Sequence, residues 1–380
     1  MAEDSIMPEE EFELQADELM AEEPARRRRG FNLTPRQAFI ALAVVLALAL
    51  IALVIYLLYF LGRPEVLTER EPVSGIQPIW QVYGPGTGDE PFFDRPMGIA
   101  VGSEGRFYVT DSGNNRVCVF DSSGRFLFQF GSFGVAKPAP GARATYVPGS
   151  LNYPVGIDTD DDGNVYVASF YNDSIEVFDP EGVPLRRFPE PTETVGKGSS
   201  GQDGLGIAVT DVAVHEDLVY ATDQYQVVVF TLEGEFVRQF GKPGLEPGDL
   251  DHPNGIAVGD DGTVFVSDSN HGRVSAFSSD GKHLWTVGEL AEGPRDQNER
   301  TFQLPRGLTV LPDGDVLVVD PFAFELIRID ASDGAVTSRY GERGVDPGQL
   351  NFANDAEAYR SFVAIADKEN GRVQLVRLLN

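Results

Sequence analysis

Between His252 and Gly288 the apolar residues fall into four short runs, at residues 256–258, 264–266, 274–277 and 284–287, parted by Asp261-Gly262, Asn270-His271-Gly272 and Asp280-Gly281. Asp-Gly between apolar runs is a hairpin signal, because glycine accepts the positive φ of a tight, twist-compatible turn. The stretch therefore predicts a four-stranded antiparallel meander. Its second strand ends in Val266-Ser267-Asp268, and the same apolar–small–polar ending recurs at Val109-Thr110-Asp111, Val167-Ala168-Ser169, Ala221-Thr222-Asp223, Val318-Val319-Asp320 and Ile365-Ala366-Asp367. Recurrence at about 51 residues is the period of propeller blades, not of helical solenoids. Six units follow. The sixth stops at Asn380 one strand short, while Trp80-Gln81-Val82-Tyr83-Gly84 has the form of the closing strands Phe128-Gln129-Phe130-Gly131 and Ser338-Arg339-Tyr340-Gly341. Residues 76–84 are thus expected to supply the outer strand of blade six, closing the ring without a free sheet edge. The predicted fold is all-β, a six-bladed propeller over residues 76–380.

Upstream the pattern changes to an uninterrupted apolar run over residues 38–61. As a helix it would rise about 36 Å, enough to cross a hydrocarbon layer roughly 30 Å thick with modest tilt. A cleavable signal peptide would have a shorter run and a small-x-small exit, whereas this one leaves through Tyr59-Phe60-Leu61-Gly62-Arg63-Pro64. The expectation is one uncleaved transmembrane helix at 38–61, preceded by an acidic, disordered tail (1–37) and followed by a short linker (62–75). Arg26 to Arg29 and Arg36 precede the run and only Arg63 and Arg70 closely follow it. The positive-inside rule then puts the tail in the cytoplasm and the propeller outside it, on a single-pass cell-membrane protein.

Net charge narrows the partners. Of the −29 total, residues 1–61 contribute ten acidic and five basic side chains, leaving −24 on the remainder. Such a domain repels phosphate backbones, so nucleic acid is not an expected partner. The single cysteine, Cys118, allows no intrachain disulfide and reads as a small core residue.

Blade one carries Pro96-Met97-Gly98-Ile99-Ala100-Val101, then Tyr108-Val109-Thr110-Asp111, then Asn114 and Arg116-Val117-Cys118-Val119-Phe120, closing on Phe130-Gly131; blade four repeats it nearly as well. These units resemble NHL repeats. The resemblance implies the propeller fold, and propellers of that family act as ligand sensors, as protein or RNA binders and, less often, as enzymes. It also implies that the Asp closing the second strand pairs with the Arg opening the third, as at Asp111/Arg116, Asp268/Arg273 and Asp367/Arg372. Blades two, three and five depart, with Ser169/Ser174, a shortened loop around Asp223 and Tyr225, and Asp320/Glu325. The NHL-like peptide-amidating lyase holds zinc with channel histidines placed directly after the first-strand proline. The matching residues here are Met97, Val155, Thr210, Asn254, Arg306 and Asn354, none of them histidine.

Long insertions at residues 135–150, 189–206 and 289–303 share one face with the second-to-third strand loops, and long loops on a rigid scaffold are where binding resides. The expected ligand site on that face combines a channel mouth of Arg306, Asn254, Asn354 and Asp355 with a rim of Tyr171, Asn172, Tyr225, Phe322 and Phe324. The opposite face, with its tight Asp-Gly turns, looks plain. Asp158, Asp160, Asp162 and Gly163 match the opening of a calcium loop, but the twelfth position is Ser169 where glutamate is required, so a hairpin turn competes with a cation site. No Gly-x-Ser-x-Gly elbow stands on a strand-to-helix turn. The sequence reading is an extracytoplasmic binding or sensing module for a protein or polar small ligand, with no cofactor; the alternative is a metal-assisted lyase or lactonase using the channel.

Overall fold

The structure, a computed structural model, describes residues 34–61, 74–86, 92–102, 104–136, 143, 145–189, 208–288 and 300–379. Residues 1–33 of the tail, nearly all of the 62–75 linker, and residues 137–142, 144, 190–206 and 289–299 of the three long insertions lie outside the described residues.

Helix α1 spans Pro35–Leu61, three residues earlier than the apolar run alone suggests. Thr34 and Gln37 form a capping box, each side chain accepting the other's backbone N–H, and Pro35 takes the first helical position, where its missing N–H costs nothing. Within Pro35–Tyr56 an 18-residue window reaches a mean hydropathy of 3.3, and the segment is long and apolar enough to cross a membrane.

Among the described residues of 76–379, the strands form six four-stranded antiparallel sheets. Blade one takes Pro96–Val101, Phe107–Asp111, Arg116–Phe120 and Phe126–Phe130; blade two Pro154–Thr159, Val165–Ser169, Ser174–Phe178 and Pro184–Phe188; blade three Asp211–His215, Leu218–Asp223, Gln226–Thr231 and Phe236–Phe240. Blade four takes Pro253–Val258, Val264–Asp268, Arg273–Phe277 and His283–Gly288; blade five Leu308–Val310, Val316–Asp320, Glu325–Ile329 and Val336–Tyr340. Blade six is built from both ends of the domain: Asp355–Tyr359, Phe362–Asp367 and Arg372–Leu378 are completed by Ile76–Val82, with Ile76 opposite Leu378 and Val82 opposite Val373.

The centres of the middle strands are rich in Val, Ile, Phe, Tyr and Ala, and are buried because a neighbouring blade covers each face. Where blades meet, an aromatic pair recurs: Phe130 on Phe178 (4.6 Å between centroids), Phe188 on Phe230 (5.2 Å) and Phe240 on Phe277 (5.0 Å) join the last strand of one blade to the third strand of the next. At the ring closure, Trp80 stands edge-on to Phe107 at 5.5 Å. Each such pair contributes about 0.5–1.5 kcal/mol beyond its area.

The Asp/Arg pairs form as the repeat pattern implies, all with Arg Nε 2.8 Å from the carboxylate and all buried: Asp111/Arg116, Asp268/Arg273 and Asp367/Arg372. Their role is structural. In every blade the residue closing the second strand also accepts a backbone N–H from the segment entering that blade, at 2.6 to 3.0 Å: Asp94 to Asp111, Asn152 to Ser169, Ala208 to Asp223, Asp251 to Asp268, Gln303 to Asp320 and Asn351 to Asp367. The arginines reach back as well; Arg372 donates to the carbonyls of Val345, Asp346 and Gln349. A buried carboxylate needs such donors. Where arginine is lacking, others serve: Gln226 Nε2 donates to Asp223, and Asp320 takes the N–H groups of Gln303, Leu304, Phe322 and Ala323.

Candidate functional site

The first strands ring a central channel, and the two residues after each opening position do different work. The side chains of the first, Met97, Val155, Thr210, Asn254, Arg306 and Asn354, all line one cavity of about 300 Å³ on the face of the second-to-third strand loops. The next position is Gly98, Gly156, Asp211, Gly255, Gly307 and Asp355. At the four glycines the adjacent blade crowds the space a Cβ would take. In blades three and six, on opposite sides of the ring, an aspartate replaces the glycine. Asp211 Oδ1 accepts the N–H of Val212 and Oδ2 that of Ile256 in blade four; Asp355 Oδ1 accepts the N–H of Ala356 and Oδ2 that of Ile99 in blade one. The two carboxylates thereby tie blade three to four and six to one in the same way, and each fills the room left by the preceding blade's glycine.

Beyond this waist lies a larger cavity, about 740 Å³, opening among the first-to-second strand turns. Asp158, Asp211, Asp355 and Glu357 line it. Asp158 ties blade two to three, its Oδ2 accepting the Val214 N–H at 2.7 Å; in blade five Thr309 occupies the matching place, accepting the Ala358 N–H and donating to Glu357 Oε2. Burial pushes the Asp158 carboxyl up to about 6, against the pull of its two backbone donors. Burial first, then the neighbouring Asp355 charge, holds Asp211 well above the ordinary range; Asp355 and Glu357 are raised by burial and by the repulsion of the same cluster. The face that looks plain in sequence thus holds the larger, acidic opening.

Of the residues expected to form the ligand site, Arg306, Asn254, Asn354 and Phe322 line the mouth cavity together. Asp355 does not join them. It follows Asn354 on an extended chain, where successive side chains diverge, and it serves the waist and the acidic cavity. Tyr171 and Phe324 stand behind the mouth: Tyr171 packs on Tyr153 and Phe170, and Phe324 on Phe352 with Arg343 over its ring. Asn172 is fully buried and holds the chain leaving blade one, accepting the Ala136 N–H and donating to the Gly134 carbonyl. Tyr225 meets the edge of His252. Sequence reasoning overlooked Tyr153, Phe170, Phe352 and Lys368, which also line the cavity; Tyr153 and Phe352 lie just before the first-strand openings, a position that could have marked them.

Arg306 is the distinctive side chain of the mouth. Among the described residues its guanidinium has no hydrogen-bond or ion-pair partner, and burial holds it below its ordinary pKa. The second cation, Lys368, is already 3.1 Å from Glu369. The carboxylates of the Asp158-to-Gly163 stretch diverge, Asp158 into the channel and Asp160 onto Asn164 and Tyr166 in its own turn. His252 and His271 each engage a separate aspartate, Asp251 and Asp268. Among the described residues no three His, Cys, Asp or Glu side chains are grouped to hold a metal ion; the mouth residues offer no imidazole and do not fit a zinc centre of the amidating-lyase kind.

Comparison with known proteins supports the repeat assignment. The NHL repeat model matches residues 93–120 and 250–277, the entry and first three strands of blades one and four. The chain therefore carries NHL repeats on a six-bladed propeller. It is 25% identical over 196 residues to Protein brain tumor of Drosophila melanogaster, a match covering 52% of this chain and 12% of that protein. Among solved structures, a protein of unknown function from Bacteroides thetaiotaomicron superposes with a TM-score of 0.55 at 19% identity, covering 81% of this chain and 73% of the other. Virginiamycin B lyase from Staphylococcus aureus gives 0.50 at 13%, covering 79% and 98%. At these identities the likeness concerns the fold.

Proposed function

We propose that this chain is a membrane-anchored binding or sensing module, in which α1 spans the bilayer, the propeller stands outside the cytoplasm, and the mouth cavity takes a polar or anionic ligand, free or carried by a protein. The observation that carries the ligand reading is Arg306. A desolvated cation without a partner is costly, and in a domain of strongly negative net charge its retention at a solvent-open cavity favours an incoming anion. A charge-assisted hydrogen bond there contributes about 1.5–3 kcal/mol. The arginines before α1 support the orientation.

Two experiments test this. In a ligand screen against the full chain, Arg306→Ala should weaken binding of any anionic hit by about ten-fold or more with little change in melting temperature, while Asp261→Ala, in a turn on the other face, should do neither. Equal affinity in wild type and Arg306→Ala would remove the mouth cavity from consideration. Protease added to intact cells should digest the propeller and spare the tail; a protected propeller would overturn the orientation.

A second reading, catalysis within the channel by a metal-assisted lyase or lactonase, draws on the raised carboxyls of the acidic cavity, which suit proton transfer near neutrality. Metal analysis of the purified protein separates the two: a stoichiometric metal would put the enzymatic reading first.

A further inference from the structure

Resting on the mouth cavity as the ligand site, its donors and acceptors narrow the ligand class. Asn254 Nδ2 donates to the His252 carbonyl at 2.8 Å and Asn354 Nδ2 to the Met97 carbonyl at 2.9 Å. A backbone carbonyl only accepts, so these bonds fix which end of each amide is nitrogen. The Oδ1 atoms are left without a partner among the described residues. Thr210 adds little, its hydroxyl being engaged by Thr222 and the Pro253 carbonyl. Among the described residues, the polar part of the mouth therefore offers one unpaired cation and two amide acceptors.

Charge and size add two restrictions. With Lys368 engaged by Glu369, a single free positive charge matches one carboxylate; a dianionic phosphate would leave uncompensated charge in a partly desolvated site. Carboxylate and guanidinium also match in planar, two-point geometry. The remaining lining is apolar and aromatic, with Tyr153, Phe170, Phe322 and Phe352 on the loops around the mouth. A cavity of about 300 Å³ is at the small end for ligand sites, of amino-acid rather than drug size.

From this combination we infer that the mouth binds the α-carboxylate and adjacent N–H of an aromatic amino-acid unit, either the free amino acid or the C-terminal residue of a peptide. The carboxylate meets Arg306, the N–H groups meet Asn254 and Asn354 Oδ1, and the ring packs among the loop aromatics.

Calorimetric titration of the full chain in detergent micelles tests this with L-phenylalanine, N-acetyl-L-phenylalanine, N-acetyl-L-phenylalaninamide, 3-phenylpropionate, acetate and inorganic phosphate. Either the free or the acetylated amino acid should bind, and whichever binds tighter identifies the natural source. The amide should lose ten-fold or more, 3-phenylpropionate three-fold or more, and Arg306→Gln should remove the preference for acid over amide. Phe322→Ala, at a rim position 51% exposed whose ring packs edge-on against Phe352, should lower affinity three-fold or more, and it carries the test should Arg306→Gln fail to fold. An amide that binds as well as the acid overturns the carboxylate assignment. If acetate or phosphate binds in an Arg306-dependent manner and the aromatic probes do not, the amino-acid class falls while the mouth site stands. If no probe binds, both fall.

Discussion

A methyl group on Gly307 would stand 1.9 Å from Oδ1 of Asp355, and one on Gly156 would stand 2.0 Å from Oδ1 of Asp211. Each aspartate can bridge two blades only because the blade before it presents a bare Cα. Neither carboxylate can retreat, since both of its oxygens are held by backbone N–H groups.

Gly307→Ala is therefore expected to cost several kcal/mol through overpacking of the channel wall, roughly 2–4 °C of melting temperature for each. Gly314→Ala, where an added Cβ meets nothing within 4 Å, should cost about 1 kcal/mol from backbone strain alone. Differential scanning fluorimetry of the two variants should separate them clearly.

The acidic cavity sets a pH dependence. Asp158 has a folded value of about 6 against an ordinary 3.8, so between these values the folded state holds a proton that the unfolded chain has released. Stability then falls as pH rises across that window, and Asp211, Asp355 and Glu357, shifted in the same direction, extend the loss to higher pH. Melting temperature should be several degrees higher at pH 5 than at pH 8. Glu357→Gln keeps an acceptor for Thr309 while removing one charge from the cluster; it should raise the pH 8 value and flatten the profile. An unchanged profile would show that the cluster is not charged at pH 8.

Arg372 is fully buried against Asp367 and holds three inter-blade carbonyls. Arg372→Ala leaves a buried carboxylate without its counter-charge, at about 3–5 kcal/mol, a drop near 10 °C in melting temperature. Arg125→Ala breaks an exposed pair with Asp121 and should change stability by less than about 0.5 kcal/mol.

Removing residues 1–70 should leave a cooperatively folding propeller, whereas removing 1–90 takes away Ile76–Val82 and Trp80 and leaves Arg372–Leu378 as an unpaired edge. Size-exclusion chromatography should show a monodisperse species for the first and aggregates for the second. Identical behaviour would mean that the closing strand is dispensable.

The blades were legible because every strand is bounded by its own turn chemistry, and the donated strand because Trp80 to Gly84 repeats the ending of the other outer strands. The mouth was half legible: the position after each opening residue, a proline in four of the six blades, could be counted along the chain, and Arg306, Asn254 and Asn354 converge as counting suggests. The waist was not. That Asp211 and Asp355 stand in a glycine's place can be read, but which way they turn depends on space left by Gly156 and Gly307, far away in sequence. The lapsed Asp/Arg pairs were ambiguous for a similar reason, since the N–H groups that satisfy Asp320 are backbone atoms and leave no trace in residue identity.

The pairing of Ile76 with Leu378 also dictates when the molecule can be finished during its manufacture. The strand made first in the domain waits for Arg372–Leu378, about 300 residues later, which at ribosomal speeds is an interval of about 15–60 s. Blades one to five can assemble as they emerge, each on the one before. The ring itself cannot close until Arg372–Leu378 has emerged, and a ribosome stalled short of that strand carries an open arc whose first edge, Ile76–Val82, is ready to pair with any other strand it meets.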